Sequence, residues 1–232
     1  MIVLRKAAER GHAKLGWLDS RHTFSFGHYF DSEHMGFKSL RVINEDYIAP
    51  NRGFDTHRHN NMEILTYVLK GALEHKDSLG NGSVIRANDV QRMSAGRGIA
   101  HSEFNPSKTE EVHLLQIWIL PKTEELSPSY EQKQFSSAEK RGKLALIASF
   151  LGREGSLKIH QDVEIFATIL DEEDSIDYNL KPGHSAWIQV ARGTMVLNGQ
   201  PLQAGDGVAV TNESYLQLKN AQNAEFLLFD IQ

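Results

Sequence analysis

His57 and His59 stand two residues apart, and some forty positions later His101 and Glu103 do the same. On a strand, residues i and i+2 point to one face, so each pair aims two metal-capable groups at a common point. Two such strands side by side bring together three neutral imidazoles and one carboxylate, a ligand set for a single divalent ion. Imidazole and carboxylate without sulfur suit iron(II), manganese, cobalt, nickel, copper or catalytic zinc. Four protein ligands leave one or two positions open on a metal that prefers five or six, as a catalytic ion requires. One His-x-His pair is a weak signal; two same-face pairs, each near a Gly-containing turn in a strand-rich chain, are a strong one.

The elements that must position these groups are short apolar runs: Leu40–Ile43, Ile64–Leu69, Val112–Leu120, Leu144–Ile147, Ala186–Val190, Gly207–Val210 and Phe226–Ile231. Turn clusters such as Leu79-Gly80-Asn81-Gly82, Pro182-Gly183 and Leu197-Asn198-Gly199-Gln200 separate them. Many short strands with Gly/Asn turns predict a sandwich or barrel. Ser136 followed by Glu139 at the capping-box spacing predicts one or two helical turns over 136–141.

A weak internal repeat organises the strands. Val68–Leu73 resembles Val190–Met195 at an offset of 122, Ala87–Val90 resembles Ala204–Gly207 at 117, and Leu114–Ile119 resembles Phe226–Ile231 at 112. The falling offset fits a second copy with shorter loops. The expectation is an all-β chain of two similar antiparallel β-barrels: residues 1–120 with the metal site, a Lys/Glu/Ser/Pro-rich connector at 121–142, and a second barrel at 143–232. The offsets carry His57, His59, His101 and Glu103 onto Asn179, Lys181, Leu218 and Asn220, which are no ligand set, so one ion per chain is expected.

Composition excludes several classes. Of 232 residues 40% are apolar, too many for a disordered chain, and no apolar run approaches the length of a membrane helix. A formal charge of −5 argues against direct nucleic-acid or membrane-surface binding. The four apolar residues before Arg5 are too few for a secretory signal, and with no cysteine there are no disulfides, thiolate nucleophiles or iron–sulfur ligands; a cytoplasmic location is expected.

Among the four N-terminal histidines no same-face pair appears. His12, His22, His28 and His34 are interleaved with Trp17, Phe24, Phe26, Tyr29, Phe30 and Phe37, which predicts an aromatic segment packed over a barrel rather than a second metal site. His75, His113, His160 and His184 stand alone and are expected to be structural or exposed. Arg58, Arg92 and Arg97 are close to the ligands in sequence, either solvated or able to attract an anion.

The motifs around the ligands resemble the cupins: His57-Arg58-His59 with Glu63 matches the first cupin motif, and Gly98 and His101 with Asn105 match the second. The nearer resemblance is to the pirins, which are bicupins. It is carried by Trp17-Leu18, His22–Phe26, Leu40–Asn44, Met62–Val68, His75-Lys76-Asp77-Ser78 and Met93–Glu103. The resemblance implies His57, His59, His101 and Glu103 as ligands, iron(II) first among the metals, with Glu63 beside the ligand set rather than in it. It implies two functions. One is an oxidoreductase like quercetin 2,3-dioxygenase, which opens the central ring of a flavonol with O₂ and releases carbon monoxide; Glu103 or Glu63 would accept the substrate proton. The other is a non-enzymatic, iron-binding regulator that contacts a protein partner. An apolar, flavonol-sized cavity over the metal would separate the first from the second.

Overall fold

Alternating and β-branched runs leave this chain few helical options, and the computed structural model, which describes residues 1–232, is built almost wholly of strands. In chain order they are β1 (Ile2–Arg5), β2 (Gly11–Lys14), β3 (Leu18–His22), β4 (Leu40–Ile48), β5 (Gly53–His59), β6 (Glu63–Lys70), β7 (Ala72–Asp77), β8 (Gly82–Arg86), β9 (Asp89–Ser94), β10 (Ile99–Phe104), β11 (Val112–Ile119) and β12 (Ser129–Gln134). After the single α-helix, α1 (Ser137–Lys140), come β13 (Ala145–Ser149), β14 (Leu157–Lys158), β15 (Val163–Leu170), β16 (Ile176–Asn179), β17 (Ser185–Leu197), β18 (Gln200–Gln203), β19 (Gly207–Val210) and β20 (Tyr215–Ile231). The helix is the expected one: Ser136 accepts from the Glu139 N–H, and the Glu139 carboxylate accepts from the Ser136 N–H.

The chain forms two compact units. One comprises 11–134 and 159–161 and holds two sheets, a seven-stranded sheet ordered β12-β9-β6-β11-β4-β3-β2 and a four-stranded sheet ordered β5-β10-β7-β8. Ile48, Val68, Leu73, Ile85, Val112 and Leu114 pack its core, every one of them buried. The other unit comprises 1–10, 135–158 and 162–232 around one nine-stranded sheet, with Leu146, Ile188, Leu197, Leu218, Phe226 and Leu228 in its core.

These boundaries differ from 1–120, 121–142 and 143–232. β1 pairs antiparallel with β19 in the second unit, its Ile2 and Leu4 packed on that core. β12, in the stretch read as a connector, pairs with β9 in the first unit. As an edge strand it is half exposed, so its polar composition suits it and hides it from a hydrophobicity pattern.

The internal repeat is present in three dimensions. Gly71 and Gly193 both hold positive φ between consecutive strand segments, each against backbone, at Glu111 and Asn223 respectively. That pair of neighbours shows the 112-residue offset of the last strands. Asp89 accepts a hydrogen bond from the N–H three residues before it, at Arg86, and Asp206 does the same from Gln203, at 2.9 and 3.0 Å.

Candidate metal centre

The four-stranded sheet presents the histidines. β5 and β10 pair antiparallel with His101 opposite His57 and Ile99 opposite His59. The register slips between His101 and Glu103, so that Glu103 lies opposite Phe54. The slip puts an extra residue into β5 between His57 and Phe54; such a bulge breaks strict alternation. Phe54 therefore lines the same cavity as His57 and His59.

Ligand atoms of His57, His59 and His101 all lie within 4.8 Å of one another. A second triplet, His75, His101 and Glu103, meets the same distance and shares His101. The structure thus gathers the expected residues in one place, with Glu103 grouped alongside His101 and His75 rather than with all three expected imidazoles at once. His75, expected to stand alone, is buried against His101: their Nδ1 atoms are 3.4 Å apart. Its signal was in the sequence all the same, because His75 and Asp77 form a third same-face i, i+2 pair.

Burial favours the neutral, ligating form of three rings, His59, His101 and His75. Burial pushes His59 down to about 4, aided by the nearby His57. Burial and then His57, His59 and His75 push His101 down to about 2. Burial also lowers His75 despite the opposing Asp77 carboxylate. Burial would raise Asp77, but hydrogen bonds from Asn81, His75 and two backbone N–H groups outweigh it and hold it low. His57 donates from Nδ1 to the Asp55 carbonyl at 2.8 Å, so Nε2 is the atom it has to offer a metal. His101 Nε2 is buried with no hydrogen-bond partner in the chain. Glu103 is wholly buried, accepts from Gln116 Nε2 at 3.1 and 3.2 Å, and is raised to about 7 by burial against hydrogen bonds from Gln116 and Thr66. Three uncharged imidazoles, one orphaned ring nitrogen and a buried carboxylate with no counter-charge fit a divalent cation, which would satisfy the orphan and favour the ionised carboxylate.

Glu63 belongs to neither triplet. Its buried carboxylate accepts from Ser94 Oγ at 3.0 Å and from the His160 backbone N–H at 3.1 Å, so it is already engaged. His160 is thereby accounted for, as is His113, which lies 2.9 Å from Glu45 and stacks on Tyr47. Arg92 is buried and paired with Glu131, so it is not an anion-attracting group; Arg58 and Arg97 are exposed and line a second pocket, of about 580 Å³, that also touches His59.

Over the histidines opens a cavity of about 620 Å³, within the ~300–1,000 Å³ common for small-molecule sites. Phe26, Tyr29, Phe54 and Trp118 wall it, and Asn44, Asp46, Gln116 and Glu103 supply polar groups. Two aromatics of the N-terminal segment, Phe26 and Tyr29, thus line the cavity, with His12, His22 and His28 in its wall. Asn44 Oδ1 and Trp118 Nε1 are buried without partners in the chain. Asp46, the group that sequence reasoning missed here, is raised to about 7 by burial, with Ser20 opposing and the Glu103 and Glu45 charges adding to the rise.

Known proteins share this architecture. The Pirin family model matches residues 3–119, and the Quercetinase C-terminal cupin domain model matches residues 146–231. Quercetin 2,3-dioxygenase of Escherichia coli strain K12 is 48% identical over 231 residues, covering 100% of this chain and 99% of that protein. A pirin-like protein of Caulobacter vibrioides is 39% identical, with 99% of each covered. The crystal structure of the bacterial pirin YhhW from Escherichia coli in complex with nickel(II) superposes with a TM-score of 0.95 at 47% identity, covering 100% of this chain and 99% of that one. No helix here is long and apolar enough to cross a membrane.

Proposed function

This chain belongs to the pirin family, and from that premise we propose that it is a metal-dependent dioxygenase acting on a flavonol such as quercetin, with O₂ as co-substrate and carbon monoxide released. His57, His59, His101 and Glu103 would hold one divalent ion, iron(II) or a first-row neighbour such as nickel. The observation that carries this reading is the aromatic-walled cavity of about 620 Å³ lined by His57, His59 and Glu103. A regulator that used only the metal's charge would need no such enclosure.

When bound, the cation supplies Lewis acidity that lowers the pKa of a hydroxyl set against it. The chain's own groups do the rest. Phe26, Phe54 and Trp118 stack around flat rings and exclude water. Asn44 Oδ1 offers an acceptor and Trp118 Nε1 a donor to phenolic hydroxyl and carbonyl groups, which would relieve two buried atoms that lack partners. Glu103, held ionised by the cation and lining the cavity, would be placed to take the proton of the flavonol 3-hydroxyl. Gln116 bridges it to Thr66 and keeps it oriented. Glu63, bonded to Ser94 and His160, is the weaker candidate for the base.

The test is O₂ consumption and carbon monoxide release on quercetin by protein loaded separately with iron, manganese, cobalt, nickel or copper, occupancy confirmed each time. A 3-methoxy flavonol, which has no proton to give, should not react. If no loaded form outpaces buffer containing the same free ion, the dioxygenase reading is wrong and the regulatory one replaces it.

A further inference from the structure

Next to β10, on β7, lies a pair of side chains fully withdrawn from solvent: His75 Nε2 is 3.1 Å from Asp77 Oδ2. Across the two strands Asp77 is opposite His101, and His75 is opposite Glu103. Asp77 begins the hairpin turn into β8 and is pinned there. It accepts from the Leu79 N–H at 2.9 Å, the Asn81 N–H at 3.1 Å and the Asn81 side-chain amide at 2.9 and 3.2 Å. The Tyr130 ring covers His75 at a centroid distance of 4.8 Å and an angle of 30°, and Tyr130 is itself held by Ser83 and Gln132.

We propose that Asp77 and His75 fix the tautomer of His101, so that His75 is a positioning residue through which the 77–82 turn sets the metal affinity of the site. This rests on the metal-centre reading above. The order of protons follows from what each group can do. An ionised carboxylate only accepts, so His75 Nε2 carries a proton and donates it to Asp77. Neutral His75 is then left with an acceptor at Nδ1, and the atom facing it at 3.4 Å is His101 Nδ1. His101 must therefore carry its proton on Nδ1 and leave Nε2 with a bare lone pair. An imidazole binds a metal only through an unprotonated nitrogen, and which nitrogen that is depends on the hydrogen bond the other makes. His101 Nε2 is the buried ring atom with no partner in the chain.

The second triplet offers a rival, an ion held between His75, His101 and Glu103. That ion would take His101 through Nδ1 and leave Nε2 buried and unsatisfied, which costs stability. An ion at His57, His59 and His101 Nε2 leaves neither ring nitrogen of His101 unmatched. The observed contacts favour the ion at His57, His59 and His101 Nε2.

The proposal is tested without substrate, so its outcome is separate from that of the dioxygenase assay. Nitrogen-15 histidine spectra of metal-free protein should show His101 protonated at Nδ1. Nickel(II) affinity is measured by competition with a chromogenic chelator. His75→Leu removes the acceptor, and Asp77→Asn supplies an amide donor that reverses the proton order; each should weaken nickel binding ~10–100-fold while stoichiometry at saturation stays at one. His75→Gln, whose carbonyl can still accept, should recover most of the loss. If His75→Leu does not fold, the Asp77→Asn spectrum decides, because it must show the His101 proton moved to Nε2. The proposal is overturned if wild-type His101 carries its proton on Nε2, or if Asp77→Asn changes neither tautomer nor affinity. It is also overturned if His75→Leu binds no nickel while His57→Ala plus His59→Ala still binds one.

Discussion

Asp46 on β4 offers a direct measure of how hard the cavity floor works against charge. The carboxyl is buried, accepts from Ser20 Oγ at 2.5 Å, and is lifted from the usual 3.8 to about 7, burial being the largest cause. The folded state therefore holds a proton that the unfolded chain has released between those two values. By linkage, the stability this group contributes is complete below pH 3.8, declines as pH rises, and is gone above about 7. A gap of ~3 pH units at ~1.4 kcal/mol each makes the full loss ~4 kcal/mol. Asp46→Asn keeps the shape and the acceptor for Ser20 but cannot ionise. In metal-free protein it should match the wild type near pH 4 and exceed it by ~2–4 kcal/mol at pH 8, the lower figure allowing for Glu103, which titrates in the same range and is relieved in the variant as well. Urea unfolding at several pH values, followed by Trp17 and Trp118 fluorescence in a Trp187→Phe background, confines the signal to residues 11–134. A difference between variant and wild type that is flat from pH 5 to 8 would refute the reasoning, because a solvated or cation-paired carboxylate gives no such slope.

Three further outcomes are expected. His57→Ala combined with His101→Ala should bring metal content by elemental analysis close to zero; full occupancy in that variant would move the site elsewhere, including into the second unit, where Asn179, Lys181, Leu218 and Asn220 stand at the repeat-equivalent positions. Glu103→Gln should weaken metal binding ~10–100-fold, and quercetin turnover should fall beyond what occupancy explains; normal turnover in the metal-replete variant would remove Glu103 as the proton acceptor. Gly53→Ala changes no ligand, yet a Cβ there would overlap the Glu103 carbonyl and the Phe104 backbone and push β5 from β10; metal affinity should fall ~10-fold or more, with unchanged affinity showing that the strand pair tolerates the shift.

The clustering of these side chains was legible because strand alternation is local: His57 with His59, and His101 with Glu103, declare a shared face within three residues. Their meeting needed only that two strands be adjacent. What stayed hidden depends on register. Phe54 faces the histidines because β5 carries a bulge, and nothing in Phe54-Asp55-Thr56-His57 announces the extra residue. His75 reaches His101 through the pairing of β7 with β10, a contact spanning 26 residues. Asp46 sits in Asn44-Glu45-Asp46, an unremarked polar stretch at the end of an apolar run, and only its placement on the cavity floor gives it meaning. The repeat was legible in its glycines and aspartates, since Gly71 and Gly193 at positive φ tolerate little else. The unit boundaries were not, because β1 is separated in sequence from every other strand of its sheet.

That separation has a consequence for synthesis. Ile2–Arg5 leaves the ribosome well ahead of its partner Gly207–Val210, which follows some two hundred residues later. At ~5–20 residues per second the wait is ~10–40 s. Residues 11–134 can pair among themselves during that interval, but β1 cannot: its N–H and C=O groups and the apolar faces of Ile2 and Leu4 have nowhere to go until β19 is made. A nascent chain of this protein therefore carries an idle apolar strand until β19 has been made. A chain released before residue 207 keeps that strand unpaired for good, exposing a segment of the kind that chaperones and proteases engage.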